Sequence, residues 1–137
     1  MLSQIFKKEI QTVSFEDMQY AIQHPDDFLL INTLKEGDQE HLISTTMYYK
    51  HEEEKINALM NNYDFSSKKI IIYGENANDR SVEKKYHQIT SLGFQYVYIY
   101  SGGLFEWLCL QDIYGSEYFP NMKQLLDILK YKPKSLF

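Results

Sequence analysis

The stretch KKIIIYGENANDRSVEKKYHQI (Lys68–Ile89) runs an apolar strand into a polar loop and then into an amphipathic helix. Lys69–Tyr73 is a short, nearly continuous apolar run, the pattern of a strand covered on both faces. Val82, Tyr86, Ile89 and Leu92 form one helical stripe, stopped by Gly93 in a C′-like position. Strand, loop and helix start in this order gather backbone N–H groups around one point, where an anion or a nucleophile can be held. Gly74, the residue that leaves the strand, brings no side chain to that point.

Working outward, the chain alternates strands with helices. Glu9–Ser14 reads as a first short strand. Ser14 then stands as an N-cap with Asp17 three residues on, a capping box that Val13 and Met18 close as a staple. The helix it starts is short and ends near His24–Pro25, because a residue before proline is pushed out of the α region. Phe28–Asn32 is a second buried-type strand, and His41–Thr45 a brief further one. Ile56, Leu59, Met60 and Tyr63 mark a helix whose first turn carries His51 and Glu52–Glu54, favourable charge at an N-terminus. Tyr96–Tyr100 is the last strand, and a helix follows from Gly102 to Tyr114. The pattern predicts an α/β domain: a central, mostly parallel five-stranded sheet with helices on both faces. Ligands in such sheets bind at the carboxyl ends of the strands, which places the Gly74–Arg80 loop at the candidate site.

Composition narrows the function classes. The 137 residues carry a formal charge of −5, which gives no basic footprint for nucleic acid. No apolar run reaches the length of a membrane span, so a cytoplasmic protein is expected. The apolar fraction of 44%, with twelve tyrosines and eight phenylalanines, supports a packed core. The lone Cys109 excludes an internal disulfide and a cysteine-rich metal cluster. His24, His41, His51 and His87 show no paired ligand spacing, so neither a metal nor a cofactor is expected.

At this point the chain resembles a family. IIIYG…RS (Ile70–Ser81), GFQYVYIY (Gly93–Tyr100) and GGLFEW (Gly102–Trp107) stand in the order found in rhodanese-like domains. FLLINTL resembles the family's second strand with its Ile-Asp-Val-Arg ending, and Glu40–Ile43 resembles the Gly-His-Ile that follows it. The resemblance covers about Glu9 to Tyr114. It implies a cysteine at the start of the loop, whose thiolate accepts sulfur or, in the phosphatase branch, attacks phosphate. That position is Gly74 here. The G-x5-R spacing to Arg80 is similar to the loop of the cell-cycle phosphatases of this fold, where an arginine grips phosphate bidentately. Glu75 and Asp79 against Arg80 leave the loop with net charge −1. The family's aspartate corresponds to Asn32, and the arginine two residues on to Leu34.

These departures point to a catalytically inactive rhodanese-like domain that binds a protein partner or regulates one. The alternative is a protein that holds a small oxyanion, phosphate or thiosulfate, in the same loop, or an atypical sulfurtransferase or phosphatase that uses it. In either reading the binding residues are Gly74, Glu75, Asn76, Ala77, Asn78, Asp79 and Arg80, and no catalytic residue is assigned. If the N–H cradle persists, a cysteine placed at position 74 is expected to have a lowered pKa. Cys109 reads as a small core residue and Trp107 as a core anchor. His41 reads as structural. Residues 1–8 read as an N-terminal extension and 9–119 as the domain. Residues 120–137 read as a helix with Met122, Leu125, Leu126 and Leu129 on its apolar side, then a basic tail with Lys130, Lys132 and Lys134. A monomer or weak dimer is expected.

Overall fold

The computed structural model describes residues 9–123 and 128–137. Four strands form one parallel sheet: β1 (Thr12–Val13), β2 (Phe28–Asn32), β3 (Lys69–Tyr73) and β4 (Val97–Tyr100), in the order β1-β4-β3-β2. Four α-helices connect or follow them: α1 (Phe15–Gln23), α2 (Tyr49–Asn61), α3 (Ser81–Ser91) and α4 (Gly103–Tyr114). The expected α/β architecture is present with four strands in place of five. Among the described residues, no helix is long and apolar enough to cross a membrane.

The missing strand is His41–Thr45. Its backbone makes only isolated bridges, Ile43 to Asn121 and, just beyond, Thr46 to Leu30. Thr45 sits at φ 68°, which breaks an extended run. The Ile43 N–H is taken by the Tyr73 hydroxyl at 3.2 Å instead of a neighbouring strand. β1 is also shorter than expected, because Ser14 leaves the strand to cap α1. Its side chain accepts from the Asp17 N–H, and the Asp17 carboxylate accepts from the Ser14 N–H at 2.9 Å.

The period-two alternation of the strands divides the core into two layers. Ile70 and Ile72 face α2 and α3, in a layer with Leu29, Ile31, Ile56 and Tyr86. Ile71 and Tyr73 face the other side, with Met18 and Ala21 of α1 and Leu104, Trp107 and Leu108 of α4. Glu52 of α2 and Lys85 of α3 pair at 2.6 Å on the first face. Trp107 is fully buried, edge-on to Tyr100 and Phe119, and its indole N–H donates to the Pro120 carbonyl at 3.2 Å.

The C-terminal region departs from the expected helix. Residues 124–127, with Leu125 and Leu126, lie outside the described residues. Met122 and Leu129 are half-exposed, and Ile128–Tyr131 forms a single 3₁₀ turn. The residue it buries is Tyr131, 2% exposed within the α1/α4 layer.

Trp107→Ala should lower the unfolding free energy by about 3–5 kcal/mol, read from urea denaturation. A change below about 0.5 kcal/mol would contradict the buried position.

Candidate functional site

The loop between β3 and α3 spans Gly74–Arg80 and opens at the carboxyl ends of the strands. An acceptor is needed for the N–H groups exposed where a strand ends and a helix begins. Asp79 supplies it. One carboxylate oxygen accepts the Glu75 N–H at 3.0 Å. The other accepts the Ser81 N–H at 3.0 Å and the Ser81 hydroxyl at 2.5 Å. The carboxylate thus lies at the N-terminus of α3, where the helix dipole favours negative charge. Asn76 braces the same loop: its side-chain oxygen accepts the Asn78 N–H at 2.9 Å and its carbonyl the Asp79 N–H at 3.2 Å.

Gly74 is required by this arrangement. A Cβ built on it overlaps the Asp79 carboxylate and stands 2.6 Å from Val82 Cγ2. Gly74 is therefore more than a flexible turn: the Asp79 carboxylate occupies the space that a side chain at position 74 would fill.

The loop's carbonyls are held from the other side. The Leu104 N–H donates to the Gly74 carbonyl at 2.9 Å and the Phe105 N–H to the Glu75 carbonyl at 2.8 Å. These are first-turn donors of α4, which have no partner within their own helix. Gly103, at φ +68°, permits the approach, since a Cβ there would stand 2.8 Å from the Gly74 carbonyl oxygen. The Gly-Gly-x-x-x-Trp pattern has a physical meaning here. Its second glycine seats the helix on the loop, and Trp107, one turn on, anchors it in the core.

The remaining candidates fall on two sides of the loop. Asn76–Arg80 line a groove of about 700 Å³ with Thr12, Tyr100 and Ser101. The Arg80 side chain is exposed and, among the described residues, makes no hydrogen bond or ion pair. It therefore does not bond to Asp79 or to the loop carbonyls. Gly74 and Glu75 lie inward, under α4. The Asn76 amide donates at 3.0 Å to the carbonyl of Tyr131, so the C-terminal turn sits against the loop.

The position expected to hold an aspartate is a structural amide. Asn32, 5% exposed, exchanges hydrogen bonds with Gln39 at 2.8 and 3.1 Å and accepts the Leu34 N–H at 3.0 Å. Leu34 is buried in the core where the resemblance expects an arginine. Two tyrosines close the floor. Burial raises the Tyr73 hydroxyl's pKa above its ordinary value, and its oxygen lies 2.7 Å from the Thr46 hydroxyl. Burial, then Glu106, raises that of Tyr100, whose hydroxyl donates to Glu106 at 2.7 Å. Both stay neutral over the physiological range.

Cys109 lies on α4, half-buried, outside the loop. Burial, then Asp112 and Glu106, pushes its pKa up, which suits an inert thiol. The His41 Nδ1–H donates to the Lys123 carbonyl at 3.0 Å, a structural contact. Sequence reasoning counted Asp79 among the binding residues and missed that it braces the loop. Glycine followed five residues later by aspartate at a helix start was the available signal. It also missed Tyr131.

Comparison with known proteins gives the context. A model of the rhodanese-like domain matches residues 17–109. The chain belongs to the rhodanese-like domain family. No curated protein matches it. Among solved structures it is similar to the Alr3790 protein from Anabaena sp., at 18% identity and a TM-score of 0.55. That match covers 75% of this chain and 88% of the other, and it speaks to the fold.

The filled cradle revises the expectation for a cysteine at position 74. In a Cys109→Ser background, Gly74→Cys should put its thiol against a carboxylate and label with iodoacetamide at a midpoint at or above about 8.5. Adding Asp79→Ala should free the Glu75 and Ser81 N–H groups and lower the midpoint by at least about one unit. A low midpoint in the single variant would show that the cradle was open.

Proposed function

We propose that this rhodanese-like domain is not an enzyme and acts as a protein-recognition module. The observation that carries the proposal is the Asp79 carboxylate packed against Gly74, holding the donors that a thiolate or a bound oxyanion needs. A nucleophile is absent from position 74, and the space for one is taken. Reloading the loop with phosphate or thiosulfate requires expelling a carboxylate with its three hydrogen bonds. This weighs against the oxyanion reading.

What remains is a rigid loop surface at the carboxyl ends of parallel strands, the usual place for binding on this architecture. Asn76, Asn78 and Arg80 face the groove beside it, and Arg80 has no internal ion pair among the described residues to break. An exposed, unpaired guanidinium suits a carboxylate or a carbonyl on a partner surface. The module is placed in the cytoplasm on this reading.

Thiosulfate:cyanide sulfurtransferase and phosphatase assays should give no turnover above a heat-treated control, for the parent and for Cys109→Ser alike. Capture of a partner from the native host should fall with Arg80→Ala, by about 1–3 kcal/mol once the partner is purified and titrated. Turnover abolished by Arg80→Ala would sink the proposal. Capture unchanged by that substitution would move the interface away from the groove.

A further inference from the structure

A second surface lies on the opposite side of the loop, and the protein's own C-terminal turn covers it. Tyr131 is 2% exposed and packs in the core layer formed with α1 and α4. Burial first, then the charges of Asp38 and Glu75, a side-chain contact with Asp38 and the charge of Glu40 push its pKa up to about 12. The hydroxyl itself is buried and approaches the Asp38 carboxylate, without a close hydrogen bond among the described residues.

The buried Tyr131 ring holds this turn in place, with polar contacts at its rim. The Asn76 amide donates to the Tyr131 carbonyl at 3.0 Å. Lys130 pairs with Asp38 at 3.5 Å, with the lysine side chain 45% exposed. Beyond Tyr131 the chain has no regular secondary structure and is mostly exposed to its end. The acidic groups beside the turn favour a basic occupant. Lys130, Lys132 and Lys134 flank Tyr131 with that charge, and Lys123 pairs with Glu40 at 3.5 Å.

We infer that the acidic slot between Glu36–Asp38 and Glu75–Asn76 is a docking site for a basic, aromatic-bearing peptide segment of a protein partner. The chain's own Lys130-Tyr131-Lys132 turn occupies it as a displaceable plug. This deepens the recognition role proposed above and rests on it. The partner's aromatic ring replaces the Tyr131 ring, and its lysines or arginines meet Asp38, Glu75 and Glu40. The intramolecular turn taxes binding by the fraction of time the slot is closed.

The test uses the full chain and a labelled synthetic peptide with the sequence of residues 128–137. Tyr131→Ala opens the slot and should bind the peptide at least about tenfold more tightly than the parent. Adding Asp38→Lys should remove that gain, and a peptide with Glu in place of its three lysines should not bind. Equal binding to parent and Tyr131→Ala, or preference for the charge-reversed peptide, would overturn the inference. If Tyr131→Ala does not fold, amide exchange on the parent decides. The 129–132 amides should exchange at least about a hundredfold faster than those of β3, and equal protection would make the turn a fixed part of the core. A failed peptide titration beside absent turnover overturns the slot alone. Turnover in the assays above overturns the recognition role, whatever the peptide does.

Discussion

The Asp79 carboxylate is the contact around which the loop is built. A strand that ends at a helix start exposes several N–H groups at once, and in a half-buried place they must find acceptors. Asp79 takes the Glu75 and Ser81 N–H groups and the Ser81 hydroxyl, with charge-assisted bonds at the N-terminus of α3. An internal anion of this kind removes the loop's demand for an external one. It also requires that position 74 have no Cβ. Gly74 and Asp79 are therefore one structural unit: the carboxylate fills the space that a side chain at position 74 would take.

Everything adjacent is fitted to that unit. The first turn of α4 satisfies the Gly74 and Glu75 carbonyls, and Gly103 allows the close approach. Trp107 pins α4 to the sheet, so the loop's backbone is held through its donors on one side and its acceptors on the other. The loop is braced like a core segment while its outer face, Asn76 to Arg80, stays open to the groove. Under the recognition reading proposed above, such a loop would present a constant surface to a partner.

Much of the fold was legible in the sequence because local signals agreed with the tertiary result. Phe28–Asn32 and Lys69–Tyr73 are strands at the expected bounds, since both are nearly continuous apolar runs sandwiched between helices. The Ser14–Asp17 capping box set the start of α1. His41–Thr45 misled because its apolar residues serve the core without strand partners: Leu42 and Ile43 are buried, and Thr45 turns the chain. The absence of a nucleophile at Gly74 was visible from one residue. The role of Asp79 was not, because it depends on where a carboxylate points and not on its presence in the loop. Tyr131 was hidden for a similar reason: between two lysines it reads as part of a solvated tail, and only the slot formed by distant segments buries it.

The most direct measurement of the account is a titration of inorganic phosphate and of thiosulfate into the protein, followed through the Glu75 and Ser81 amide resonances. In the parent protein both resonances should stay fixed, because Asp79 already holds these donors. In Asp79→Ala they should shift in a saturable way as the anion enters the vacated cradle. Saturable shifts of these two amides in the parent would contradict the account, since they would show a loop that still takes an external anion.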